Sequence, residues 1–201
     1  MAGNIYVCVK TVPDTDDIGF DSSTGNMIRT NKALKINKDD TVAIEVALRC
    51  NEILESNVEA ISMGPKFYET GLRYALSMGV DEAHLITSKA FAGADVLATA
   101  YTLSQFIKQS GEYKLIVCGN HSSDGSTGQT GPELAELLGI RHAGYVSEII
   151  AIDEISITVA QQFDELKIIS ERHLPCVIIP KHDFCMPRIP TLANVLKSKR
   201  H

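Results

Sequence analysis

The chain has 201 residues, enough for one sizeable core but not for two full domains. Hydrophobic residues make up 44% and charged residues 22%, which excludes a disordered chain, and no apolar run is long enough to cross a bilayer, so membrane insertion is not expected. The net charge of −6 argues against a nucleic-acid surface, which needs a basic face.

Five cysteines, Cys8, Cys50, Cys118, Cys176 and Cys185, form no C-x-x-C pair, so neither a disulfide framework nor a zinc finger is expected. The start, MAGNIYVCVK, has no basic segment ahead of an apolar one, and a cytoplasmic chain is expected, or a mitochondrial-matrix one if the source is eukaryotic.

In chain order, IYVCVKTV (5–12) is a β-rich run ended by Pro13. DTDDIGFDSSTGN then reads as an exposed excursion or hairpin. It is not a calcium loop, because the twelfth position from Asp14 is Gly25 where a bidentate Glu is required. TVAIEVALRCNEIL places Val42, Ile44, Val46, Ala47, Leu48, Ile53 and Leu54 on a broad apolar face, predicting a helix with Asp39 or Asp40 as N-cap.

VEAISMG (58–64) is a predicted strand, YETGLRYALSMG (68–79) a helix stopped by Gly79, and EAHLITS the next strand. ADVLATAYTLSQFIKQSG predicts a long helix stopped at Gly111, and KLIVCG (114–119) a strand covered on both faces. After Gly139 come four strand-like runs with no helix between them: AGYVSEIIAI, SITVAQQF, LKIISER and PCVIIP. The alternation predicts a doubly wound, mostly parallel α/β sheet with helices on both faces, plus a small antiparallel annex at one edge. The tail, TLANVLKSKR, reads as a short helix with Leu192, Val195 and Leu196 on one face. The expected division is a main α/β unit over 1–185 and a terminal segment over 186–201.

Ligands of open α/β sheets bind beyond the carboxyl ends of the strands. At the end of KLIVCG stands CGNHSSDGSTGQTGPELAELLG, with Gly125, Gly128 and Gly131 at intervals of three where strand hands over to helix. Glycines there let main-chain N–H groups approach a ligand, and a helix N-terminus favours an anion, so a phosphate is the natural guest. The pattern is neither G-x-G-x-x-G nor a P-loop, since no Lys follows the last glycine. A bare βα connection is the competing reading; Ser123, Ser126, Thr127, Gln129 and Thr130 favour the cradle, being short hydrogen-bonding side chains a ligand-free loop does not need. Cys118 and His121 could be offered as nucleophile and base, but no orienting acid is singled out, and no catalytic residue is expected. No pair among His84, His121, His142 and His173 has metal-ligand spacing, so no metal is expected either.

Read together, VCVKTVPD, LKINKDDTVAIEVALR, AISMGP, ETGLRYALSMGVDEAHLI, the D-G-x-T-x-Q-x-G-P loop and the P-R-x-x-x-L-x-N tail resemble the β subunit of electron transfer flavoproteins, the nitrogen-fixation-type branch included. The resemblance runs over nearly the whole chain in the expected order. It implies an electron-carrier subunit with no substrate chemistry of its own, paired with an α subunit that carries an electron-transferring FAD. It further implies an adenine nucleotide at the strand ends, AMP in the simple carriers and a second FAD in the bifurcating branch.

Carried over by position, the nucleotide contacts would be Cys8, Asn37, Lys38, Asp39, Asp40, Met63, Gly119, Ser123, Asp124, Gly125, Ser126, Thr127, Gly128, Gln129, Thr130, Gly131, Pro132, Glu133 and Leu134. Cys8 and Met63 would flank base or ribose, and the amides from Thr127 to Gly131 would hold phosphate. The tail resembles the family's recognition loop, with Leu192 as apolar anchor for a partner dehydrogenase and Pro187 to Lys199 around it. Ser126 stands where the bifurcating branch usually has an acid, and Asn120-His121-Ser122-Ser123 replaces a more typical basic-Gln-Ala-Ile run. FAD and AMP therefore both stand, with a lean to FAD. The chain stops at His201, where relatives commonly continue into an arm that clasps the α subunit. The rival readings are a stand-alone ATP-binding stress-type sensor or enzyme, and an assembly module with an empty loop.

Overall fold

A computed structural model describes residues 3–14 and 34–199. Beyond Asp14, the acidic stretch expected as an exposed excursion lies outside the described residues. Eight strands form one sheet: β1 (Asn4–Cys8), β4 (Val58–Met63), β5 (Glu82–Ile86), β6 (Tyr113–Cys118), β7 (Arg141–Ile152), β8 (Ser156–Phe163), β9 (Leu166–His173) and β10 (Cys176–Pro180). Their spatial order is β5-β4-β1-β6-β10-β7-β8-β9, and β2 (Thr11–Pro13) with β3 (Leu34–Ile36) makes a separate antiparallel pair. Every neighbour pair from β5 to β7 is parallel; β7–β8 and β8–β9 are antiparallel.

The period-two alternation of strands distributes the core between two faces. Ile5, Val7, Val58, Ala60, Leu115 and Val117 face α1 (Lys38–Leu54) and α2 (Glu69–Met78). Tyr6, Cys8, Ile61, Ile116 and Cys118 face α3 (Val96–Gln109) and α4 (Thr130–Leu138). The α3 N-terminus is capped by Asp95, whose carboxylate accepts the Ala98 amide at 2.8 Å. Helix α2 ends as expected at Gly79 and α4 ends at Gly139, both left-handed. Among the described residues no helix is long and apolar enough to cross a membrane.

Three local expectations are corrected. The first strand ends at Cys8 rather than Val12, because the Lys10 amide turns away to Asp40 Oδ2 (2.7 Å) and the Lys10 carbonyl accepts the Asn37 amide (2.9 Å). Thr11–Pro13 then pairs with β3. Helix α1 begins two or three residues earlier than the aspartates imply, with Asn37 at the N-cap, since the Asp40 side chain is committed to Lys10 and Asn37. PCVIIP does not join the antiparallel annex: β10 is buried throughout and lies between β6 and β7, parallel to both. An unbroken apolar run of this kind belongs inside a doubly covered sheet.

The terminal helix α5 (Leu192–Ser198) is capped by Thr191, which accepts the Asn194 amide at 3.2 Å, and lies on α2, where Arg73 Nη1 donates to the Ser198 carbonyl at 3.1 Å.

Candidate functional site at the sheet's switch point

From β1 the chain builds outward through β4 to β5, then crosses to the other side of β1 for β6. The crevice between β1 and β6 is therefore the switch point at which doubly wound sheets take ligands. A cleft of about 830 Å³ opens there, lined by the ends of β1, β4 and β6 and by the loops that follow them.

Its floor is the register pair Cys8 and Cys118. The hydrogen-bonded Cys8 thiol and burial together push the Cys118 thiol well above its ordinary pKa, so it is not an activated nucleophile. Gly119 follows, and its lack of a side chain is what lets α1 approach: a Cβ there would lie 2.0 Å from Asp40 Oδ1.

Two residues at the start of α1 hold the β6–α4 loop. Asn37 donates from Nδ2 to the His121 carbonyl (2.7 Å) and accepts the Ser123 amide on Oδ1 (3.3 Å), while Asp39 Oδ2 accepts the His121 amide (3.0 Å). Asp40 is buried, and burial raises its carboxyl pKa from 3.8 to about 7 against the opposing hydrogen bonds from Asn37 and Lys10.

The loop then turns at Ser126 and Gly128, both with positive φ (49° and 63°). Among the described residues, the amides of Thr127, Gly128, Gln129, Thr130 and Gly131 take no hydrogen bond; the next helical amide, from Glu133, closes on the Gln129 carbonyl at 3.0 Å. Thr127, Gly128 and Thr130 line the cleft. A row of unpaired N–H groups at a helix N-terminus is an anion site by its own chemistry. Against the same loop, Lys10 Nζ sits 2.6 Å from Asp124 Oδ1 and 3.3 Å from Ser122 Oγ, a positive charge lining the cleft.

Of the residues singled out in the sequence, Cys8, Asp40, Met63, Gly119, Asp124, Gly125, Thr127, Gly128 and Thr130 line the cleft together. Asn37, Lys38, Asp39, Ser123, Ser126, Gln129, Gly131, Pro132, Glu133 and Leu134 are not among its lining residues. Gly131 packs tightly, since a Cβ there would meet Ile179 Cδ1 at 2.7 Å and Cys118 Cβ at 3.3 Å, and Leu134 is wholly buried. Sequence reading missed Lys10 and the far wall, Thr87 to Val96. That wall is shaped by Ser88, which accepts the Ala90 amide at 3.2 Å, and by the Asp95 cap, so the two capping side chains in SKAFAGAD were its legible signal.

The electron transfer flavoprotein domain profile matches residues 24–200. The chain is 38% identical over 195 residues to the electron transfer flavoprotein subunit beta of Thermoanaerobacterium thermosaccharolyticum, an alignment covering 97% of this chain and 74% of that one. It is 36% identical over 193 residues to the Caffeyl-CoA reductase-Etf complex subunit CarD of Acetobacterium woodii, covering 96% and 73%. With Protein FixA of Rhizobium meliloti it shares 35% identity over 181 residues, covering 87% and 62%. The fold, the switch-point cleft and these likenesses agree: the chain belongs to the electron transfer flavoprotein family as a β subunit.

Proposed function

We propose that this β subunit holds an adenine nucleotide in the switch-point cleft and, joined to an α subunit, helps pass electrons from dehydrogenases to an acceptor. The observation that carries the nucleotide assignment is the row of unpaired amides from Thr127 to Gly131 at the start of α4, of which those of Thr127, Gly128 and Thr130 belong to residues that line the cleft. An anion placed there gains several N–H donors and the positive end of the helix dipole. Lys10 adds a formal charge within reach of the same loop.

The proposed occupant is FAD rather than AMP. At about 830 Å³ the cleft lies high in the range of small-molecule sites, roughly 300–1,000 Å³, and it runs on from the α4 cradle to the loop before α3. A flavin bound there would supply the redox-active ring; the chain's own work is to hold the phosphates, seat the adenosine over Cys8 and Met63, and exclude water. No general acid or nucleophile is required of it, consistent with the high thiol pKa of Cys118.

Two exposed apolar surfaces fit the proposed partners. On the antiparallel strands, Leu166 and Ile168 of β9 are exposed together on one face, an apolar surface suited to the α subunit. The terminal segment from residue 186 exposes Met186, Ile189 and Leu192, the last 75% accessible, and would act as a recognition segment separate from the nucleotide-holding unit.

Co-expression with an α subunit, followed by acid extraction and chromatography, tests the reading. Two FAD per heterodimer is expected. One FAD with one AMP would replace the occupant while keeping the site, and ATP bound to this chain alone would overturn the carrier assignment.

A further inference from the structure

At the opposite end of the strands from the cleft, three donor side chains converge on the α3 side of the sheet. Glu59 on β4 and Glu82 on β5 are partners in register, and His84 lies two residues on from Glu82, hence on the same face. His84 Nε2 is 2.9 Å from Glu59 Oε2 and 3.8 Å from Glu82 Oε2, and one donor atom from each residue lies within 4.8 Å of the others. Ligands bound at about 2.1 Å sit roughly 3.0 to 3.4 Å apart in octahedral or tetrahedral shells, so little movement separates this cluster from a coordination shell.

Two further observations set this group apart from an ordinary surface ion pair. Glu59 is only 7% exposed, yet among the described residues its sole ionic partner is an imidazole, which carries charge only when protonated. A second carboxylate, that of Glu82, turns to the same nitrogen, and among the described residues no Lys or Arg is ion-paired to either carboxylate. Buried carboxylates in such surroundings are paired or bind a cation. The other Glu59 oxygen is also fixed: Asn4 Nδ2 donates to Oε1 at 2.6 Å, leaving Oε2 aimed at the cluster. Orientation of a ligating carboxylate by an outer hydrogen bond is a regular feature of metal centres. The Phe106 ring, 5.2 Å from the His84 ring, restrains the imidazole from the α3 side.

We propose that Glu59, Glu82 and His84 form a site for one divalent transition ion of the zinc class, which joins the edge strand β5 to β4. One imidazole and two carboxylates, with no thiolate among them, favour zinc or manganese over copper(I) or iron–sulfur chemistry. Glu82 is largely exposed, so the remaining coordination positions open to water. Because the site lies at the start of β4 and β5 while the cleft lies beyond their ends, it does not depend on the nucleotide assignment. It also amends the sequence expectation of no metal, which considered histidine pairs and could not show that Glu59 stands beside Glu82.

The test is calorimetric titration of the chelator-stripped full chain with zinc chloride, paired with cobalt(II) absorption and thermal melting. Wild type is expected to take up one equivalent with a rise in melting temperature, and cobalt(II) is expected to give ligand-field bands of low coordination number. Glu82→Ala, which removes an exposed side chain, and His84→Ala should each weaken uptake at least ~10-fold, and Asn4→Ala should weaken it by about 10- to 100-fold by freeing Glu59. His142→Ala, at a residue on β7, should leave uptake unchanged. No uptake by wild type, or uptake that survives both Glu82→Ala and His84→Ala, would overturn the proposal.

Discussion

Lys10 and Asp124 stand 114 residues apart in sequence and meet at 2.6 Å across the mouth of the cleft. Their contact ties the exit of β1 to the β6–α4 loop, with Asp124 largely covered and Lys10 about two-fifths exposed. A pair this open adds little stability, under about 1 kcal/mol. Its significance lies in where it leaves the ammonium, in the lining of the cleft. Lys10→Met is therefore expected to melt close to wild type while losing nucleotide retention by about 10- to 100-fold, the scale of a charge-assisted hydrogen bond. Equilibrium dialysis against AMP and FAD at two salt concentrations checks this. Equal retention by wild type and variant would remove Lys10 from the site.

Asp40 makes folding stability depend on pH. Its folded pKa, raised by burial from 3.8 to about 7, means the native state binds a proton that the unfolded chain releases. The stabilisation from that proton is complete below about pH 4 and is lost as pH rises through 7. Wild type should thus lose on the order of 2 kcal/mol relative to Asp40→Asn between pH 5 and pH 8. Glu45 titrates in the opposite sense, its pKa being lowered by the guanidinium hydrogen bonds despite burial, but it is common to both proteins and cancels. Urea unfolding at the two pH values measures the difference, and parallel behaviour of the two proteins would place the proton elsewhere.

The sequence made the helices and the parallel strands legible where the signal was local. Apolar periodicity in α1, the left-handed stop at Gly79, and the glycine spacing before α4 all report on near neighbours. What it hid depends on contacts between distant segments. That β10 inserts between β6 and β7 follows from packing on both faces, and nothing in CVIIP names its neighbours. The aspartates of KDD looked like caps because cap chemistry is local, whereas Asp40 is drawn away by the Lys10 amide 30 residues earlier. Lys10 itself sits in a strand-like run, and only the fold brings it to Asp124.

Arg188 clamps the terminal segment to the body of the protein. Its Nε lies 2.7 Å from Glu45 Oε2 and its amide donates to the same oxygen at 3.1 Å, while Arg49 Nε takes Glu45 Oε1 at 2.8 Å. Glu45 is buried, so loss of the Arg188 side chain leaves part of a carboxylate undercompensated. Arg188→Ala is expected to cost about 1–3 kcal/mol, less than a fully stranded charge because Arg49 remains. It should also speed proteolysis after Met186, where the exposed Ile189 and Leu192 lose their fixed placement. Unaltered cleavage kinetics would show that the α2–α5 contact alone holds the tail.

Gly131 distinguishes donation from packing within the cradle. Its amide is one of the unpaired N–H groups, yet valine at this position keeps that N–H, so any loss of nucleotide retention must come through displacement of α4. A Cβ would lie 2.7 Å from Ile179 Cδ1 and 2.9 Å from Cγ1, with Cys118 Cβ at 3.3 Å, so either α4 or the Ile179 side chain must give way. Gly131→Val is expected to cost about 1–3 kcal/mol of stability and to weaken retention with it, and Gly131→Ala, which carries the same Cβ, should show both effects to a smaller degree. If the cause is steric, Ile179→Ala in the Gly131→Val background should recover part of the stability and retention, with a coupling of at least ~0.5 kcal/mol in the double-mutant cycle. Additive losses in that cycle would mean the helix start is perturbed by its own backbone rather than by its neighbour on the sheet face beneath it.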